Sequence, residues 1–188
     1  MNKFRIIVET LPHILDPGIA IAATRAGGIG VLNLEYIPKI RSYGDQLIKL
    51  SQYTAGNAFG IKLGQDGLEH IAFLRANPHK QLKLAVVSAV YAGDLQKILT
   101  ALQTLKMEVL VECINLQQAH AAERYDADAV IAKGQESGGR VGDETTFILL
   151  QRFVQSLKVP VYAKGGIGMH TGAACFMAGA AGVVLDNQ

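Results

Sequence analysis

Along the chain, short runs of Val, Ile and Leu alternate with longer stretches in which apolar residues return every three or four positions. The runs are 4–10 (FRIIVET), 28–36 (GIGVLNLEY), 58–64 (AFGIKLG), 82–88 (LKLAVVS), 108–114 (EVLVECI), 127–134 (ADAVIAKG), 159–166 (VPVYAKGG) and 181–188 (AGVVLDNQ), eight in all. Near-continuous apolar runs of this length predict strands buried on both faces. Between them, DPGIAIAATRA, YIPKIRSYGDQLIKLSQYTA, DGLEHIAFLRAN, AGDLQKILTALQTLK, NLQQAHAAERYD, ETTFILLQRFVQSLK and HTGAACFMAGA carry helical periodicity, one segment per gap. Several open on Asp, Asn or Thr, whose side chains accept from the unpaired amides of a first turn.

Strict alternation of strand and helix predicts a parallel sheet with covered faces, and eight strands is the number that closes a (β/α)8 TIM barrel. An open, doubly wound sheet is the alternative. It would carry its nucleotide-binding glycines after the first strand, whereas RAGGIG at 25–30 follows the first helix and opens the second strand. The sequence stops on its eighth run, so the expected barrel is compact and lacks the eighth helix. Residues 1–188 are then expected to form one domain of a longer chain. A downstream helix, other domains of the polypeptide or a second copy in a homodimer would cover the last strand.

Composition narrows the partners. A chain of 188 residues with 49% hydrophobic and 18% charged residues suits one globular domain, and a net charge of +2 is too small a basic excess for nucleic-acid binding. Cys113 and Cys175 show no C-x-x-C spacing and read as small buried hydrophobes of a reducing, cytoplasmic compartment. The N-terminus is a strand broken by Pro12 and Pro17, which gives neither a signal peptide nor a membrane span. No G-x-S-x-G occurs and the histidines lack ligand spacing, so hydrolase and metal readings gain no support.

Barrel enzymes build their sites at the C-terminal ends of the strands. Here those ends carry Glu9, Glu35, Lys62, Glu112, Lys133, Lys164 and Asp186. Singly, each reads equally well as part of a paired plug in the barrel mouth; as a group they point to a polar ligand. After the seventh run, Gly165, Gly166 and Gly168 precede His170 and Thr171 at a helix start, a composition suited to phosphate. After the sixth, Gly134, Gly138 and Gly139 would let backbone lie against a flat ligand; Asp143 or Thr145 caps the next helix, with Glu144 in its first turn. His13 follows the first strand at the site face and is a candidate acid/base, while His70, His79 and His120 suit solvated or core positions.

The motifs DPGIAIAATRAGGIGVLN, GQESGGR and VPVYAKGGIGMHTGAACFMAGAAGVVL resemble those of the FMN-dependent barrels that include nitronate monooxygenases and flavin-type enoyl-acyl carrier protein reductases. KGQESGGRVGDETTFILLQ is similar to the version embedded in polyketide or fatty-acid synthase-like polypeptides. The resemblance implies an FMN-binding oxidoreductase acting on a small or carrier-tethered acyl substrate. It places Gly138 and Gly139 against the flavin, Gly165, Gly166 and Ile167 on its phosphate, and Lys62 near the ring, where a cation stabilises an anionic reduced flavin. Three departures stand out. Arg140 replaces the family's proton-handling His and stays protonated, so it is expected as an anion or oxyanion contact. TLPHIL replaces a Pro-Met turn, and Asp186-Asn187-Gln188 replaces a Gly-Thr-Arg phosphate contact. The alternative is a barrel without catalysis that serves as a binding or scaffold module of a multidomain synthase.

Overall fold

The computed structural model of the chain describes residues 4–37, 43–64, 66–90 and 94–186. Its elements alternate without exception: β1 (Arg5–Glu9), α1 (Gly18–Arg25), β2 (Ile29–Asn33), α2 (Gly44–Tyr53), β3 (Phe59–Leu63), α3 (Gly67–Ala76), β4 (Leu82–Ser88), α4 (Leu95–Thr104), β5 (Glu108–Cys113), α5 (Leu116–Arg124), β6 (Ala129–Lys133), α6 (Thr146–Ser156), β7 (Val161–Lys164), α7 (Met169–Met177) and β8 (Gly182–Leu185). The strands pair in parallel and in chain order, and β8 returns to β1 through Arg5 opposite Gly182 and Val8 opposite Leu185, which closes the barrel. All eight predicted strands and seven predicted helices are present, most of them trimmed at one or both ends; β4 keeps its predicted bounds and α7 begins one residue earlier than expected. Positions 38–42 of the long second helical segment lie outside the described residues, as do Asn187 and Gln188.

Capping explains where several helices begin. Asp94, Asn115 and Thr145 accept through their side chains from the amides of Lys97, Gln118 and Ile148. Thr145 is therefore the cap of α6; Glu144 precedes it and pairs with Arg152.

The core has two layers, set by the two-residue alternation of a strand. One lies between the strands and the helices and holds Leu32, Ile61, Val87 and Val111 with Leu99 and Phe153. The other fills the barrel, with Ile7, Val31, Val86, Leu110, Ile131, Tyr162 and Val184. Two residues beyond each of these stand Glu9, Asn33, Ser88, Glu112, Lys133, Lys164 and Asp186. Lys62 stands likewise two beyond Gly60, whose missing side chain leaves room for Leu84 and Val31. Every strand thus carries one polar residue into the layer above an apolar interior. At the opposite end Arg5 pairs with Glu108 and donates to Tyr162 Oη at 3.0 Å.

Gly28 and Gly30 of RAGGIG serve packing, while Gly27 takes a left-handed turn, φ 90°. A Cβ at Gly30 would stand 1.9 Å from the carbonyl oxygen of Ala20, so α1 rests directly on the β2 backbone, and Gly30 N donates to Thr24 Oγ1 at 2.9 Å. On the outer face of β8 and β1, a groove of about 610 Å³ beside α7 is lined by Phe4, Ile6, Phe176 and Val183. Among the described residues no helix is long and apolar enough to cross a membrane.

Because α1 has no room to retreat from a side chain at this position, Gly30→Ala should cost about 3 kcal/mol, the upper end of the usual overpacking penalty. Denaturant unfolding checks this, and a variant as stable as the parent would mean that α1 does not rest on β2.

Candidate functional site

At the mouth of the barrel, side chains from β1, β3, β5, β6 and β7 meet in one ionic network. Lys62 Nζ lies 2.9 Å from Glu112 Oε2, 3.1 Å from Glu35 Oε2 and 3.3 Å from Glu9 Oε2. Lys164 Nζ lies 2.6 Å from Glu9 Oε2, 2.8 Å from Glu112 Oε2 and 3.6 Å from Asp186 Oδ2. Lys133 Nζ completes it, 2.9 Å from Glu112 Oε1. Four carboxylates face three lysines, which leaves one net negative charge when all are ionised.

Burial by itself would press Lys62 towards the neutral amine. The attraction of Glu112, Glu9 and Glu35 outweighs it and holds the ammonium well above the ordinary lysine range. For Glu112, burial would favour the neutral acid, but Lys164, Lys62 and Lys133 hold it well below the carboxylate range. The stabilisation from Glu112 is therefore present above the pKa of an unfolded carboxyl and is lost only as pH falls through the depressed value; that from Lys62 is lost only as pH rises through its elevated one.

Not every oxygen is occupied. Glu9 Oε1 and Glu35 Oε1 are buried without a hydrogen-bond partner among the described residues. Both residues line a cavity of about 200 Å³ together with Asn33, Lys62, Gly138 and Gly139. The wall is fixed by Asn33 N donating to Thr10 Oγ1 and Glu35 N donating to Asn33 Oδ1, both at 2.9 Å.

Past the end of β7 lies a second cavity, of about 390 Å³, lined by Gly165, Gly166, Ile167, Thr171 and Glu136. Gly165 and Gly166 take φ of 117° and 62°, a left-handed pair that favours glycine. Thr171 Oγ1 accepts from Gly168 N at 2.7 Å and donates to Gly166 O at 2.9 Å, fixing the turn into α7. Glu136 Oε2 accepts from Thr146 N and Thr146 Oγ1, both at 2.9 Å; these bonds outweigh desolvation and keep the carboxyl below its ordinary range.

The candidates thus fall into three places. Lys62, Gly138 and Gly139 share the first cavity, and Gly165, Gly166 and Ile167 the second. Arg140 is exposed and His13 stacks on Tyr36, ring centres 4.8 Å apart; neither lines the first cavity. Gly134 lines neither cavity: a Cβ there would stand 2.2 Å from Thr146 N, so it admits the start of α6. His70 Nδ1 lies 3.0 Å from Tyr43 Oη in the core, His79 pairs with Ser51, and His120 is exposed. The free carboxylate oxygens were invisible in the sequence, where Glu9 and Glu35 read only as strand-end charges.

Residues 61–187 match the family model described as nitronate monooxygenase. Among characterised relatives, the chain is 25% identical over 189 residues to (3aS,4S,5R,7aS)-5-hydroxy-7a-methyl-1-oxo-octahydro-1H-indene-4-carboxyl-CoA dehydrogenase of Rhodococcus jostii (strain RHA1), covering 97% of this chain and 51% of the relative. It is 30% identical over 105 residues to the nitronate monooxygenase of Paraburkholderia phytofirmans (strain DSM 17436 / LMG 22146 / PsJN), covering 51% and 29%. The structure of FabK from Thermotoga maritima superposes with a TM-score of 0.85 at 27% identity, over 97% of this chain and 58% of that one. The chain thus spans about half the length, or less, of the relatives it matches by sequence.

Removing the carboxylate that contacts all three lysines should be the most damaging isosteric change in the network. Glu112→Gln is expected to cost about 3–5 kcal/mol of unfolding free energy, the cost of breaking a buried ion pair from one side. Thermal and urea unfolding measure it; a loss below about 1 kcal/mol would show that the three lysines do not depend on Glu112.

Proposed function

The chain belongs to the nitronate monooxygenase family, and from that premise we propose that its barrel mouth binds FMN and serves an oxidoreductase acting on a nitro compound or an acyl thioester. The observation that carries the reading is the pair of left-handed glycines, Gly165 and Gly166, where β7 turns into α7, beside a cavity walled by Gly138, Gly139 and Lys62.

The residues fit the cofactor. At Gly166 a side chain would point into the second cavity towards Glu136 at 3.6 Å, so glycine keeps a cradle open at a helix N-terminus, where backbone N–H groups and the helix dipole favour a phosphate. Gly139 has φ 76°, and a Cβ there would lie 3.6 Å from Lys133 Nζ, over the ionic network. The isoalloxazine ring would rest on the Gly138–Gly139 backbone, and the phosphate on Gly165, Gly166 and Ile167. FMN supplies hydride or electron transfer when bound; the protein positions it and sets its electrostatics.

Lys62 is enclosed by three carboxylates, so its charge fixes the floor of the site and is not free to neutralise an anion alone. Arg140, exposed beside Gly139, suits an anionic group reaching the rim from solvent, such as the phosphates of a carrier-tethered or CoA-linked substrate. The Rhodococcus jostii relative, named as a carboxyl-CoA dehydrogenase, supports an acyl thioester; the Paraburkholderia phytofirmans nitronate monooxygenase supports a nitro compound. A second reading, a scaffold barrel within a larger synthase-like polypeptide, is favoured by the neutralised lysines. The groove over β8 and β1 would take a neighbouring domain or a second copy.

Titrating the protein with FMN and following quenching of flavin fluorescence decides between the two. Saturable one-to-one binding is expected, weakened at least about tenfold in Gly166→Val, where a β-branched residue is forced to φ 62°. Flavin fluorescence unchanged by the wild type would leave the scaffold reading.

A further inference from the structure

A site that handles carbon acids needs a group that takes or returns a proton, and neither sequence candidate is in position. Arg140 stays charged and exposed, and His13 is stacked on Tyr36 outside the cavity. Within the cavity the groups able to carry a proton are Glu9, Glu35, Asp186, Lys62, Lys164 and Tyr36. Tyr36 is a phenol, which gives a proton more readily than it takes one, and its ring stacks on His13. The lysines are held by two or more carboxylates each. Among the described residues Asp186 pairs with Lys164 alone, at 3.6 Å, and does not present a buried, unpartnered oxygen.

Glu9 and Glu35 do present one each, and they are not equivalent. Glu9 Oε2 is shared by Lys164 at 2.6 Å and Lys62 at 3.3 Å. Glu35 Oε2 has a single lysine contact, Lys62 at 3.1 Å. A carboxylate facing one ammonium keeps more electron density on its free oxygen than one facing two. As a residue Glu35 is 5% exposed against 2% for Glu9, with Oε1 buried in both.

Its position is built. Asn33 Oδ1 holds its backbone, Lys62 its outer oxygen, and Gly64 clears its stem: a Cβ at Gly64 would stand 3.1 Å from Glu35 Cγ. We propose that Glu35, through its unpartnered Oε1, is the proton-transfer group of this site, acting at a C–H bond made acidic by an adjacent nitro or thioester group.

The step balances within the site. The C–H proton bonds to Glu35 Oε1 while its electron pair moves into the nitro group or thioester carbonyl, giving a neutral carboxyl and a nitronate or enolate. The negative charge leaves Glu35 for the substrate, and Lys62, 3.1 Å from Glu35 Oε2, is left facing one carboxylate fewer at the moment an oxyanion forms beside it. The reverse step returns the proton. The inference rests on reading the mouth as an oxidoreductase site but needs no bound flavin.

The test is hydrogen–deuterium exchange at the substrate carbon in D₂O, followed by ¹H NMR, with nitroethane in one arm and propionyl-CoA in the other. Flavin-free and FMN-loaded protein are both used. Exchange above the buffer rate is expected in at least one arm, falling by about 10² or more in Glu35→Gln, the range removed with a general base. Should Glu35→Gln not fold, Glu35→Asp keeps the charge but withdraws the oxygen, and at least a tenfold fall is expected. No exchange in either arm overturns the proposal, as does a wild-type rate in Glu35→Gln or, where that does not fold, in Glu35→Asp. Failure of FMN to bind, with Glu35-dependent exchange intact, would overturn the flavin reading alone.

Discussion

Glu112 sits with no solvent exposure at the centre of the barrel mouth, touching Lys62, Lys133 and Lys164. The rest of the site depends on this contact. An isolated charge in such a place is untenable, because desolvation outweighs any single surface-like interaction. Three lysines and four carboxylates meet there because the closed barrel brings strands far apart in sequence to one level. The same constraint explains the layering: the apolar interior stops at one height because the next inward position on every strand is polar.

The arrangement also limits what the mouth can do. Lysines enclosed by carboxylates are not nucleophiles and are poor sole partners for an incoming anion. The freedom left in the network is on its acidic side, where Glu9 and Glu35 each keep an unshared oxygen. Charge is thus stored as fixed structure near β5 and β6, while groups with spare capacity gather near β1 and β2. The cavity walls without side chains come from Gly138–Gly139 and from Gly165–Gly166.

Much of the fold was legible because its signal is local. Eight Val/Ile/Leu runs separated by helical periods leave little besides a closed parallel barrel, and Asp94, Asn115 and Thr145 announce helix starts by residue type. The site was legible in outline, since a charge at the end of a buried strand is costly wherever it occurs. What the sequence withheld is pairing. Glu9 and Lys164 are separated by 155 positions, so nothing local tells that one oxygen of Glu9 is taken and the other free. Glycine roles were similarly ambiguous: Gly30 and Gly134 serve close approach of a helix, whereas Gly139 and Gly166 keep cavity walls open, and the residue type is identical. Arg140 follows Gly138 and Gly139 in sequence, but the loop turns it to solvent.

The central claim is that the mouth is held by a buried ionic network in which Lys62 stays an ammonium. The most direct measurement follows the Lys62 side-chain nitrogen in lysine-¹⁵N-labelled protein by NMR as pH is raised. The network predicts an ammonium signal protected from solvent exchange that persists beyond the ordinary lysine value of about 10.4. A Lys62 amine that is already neutral at about pH 8, as for a lysine buried without adequate partners, would contradict it.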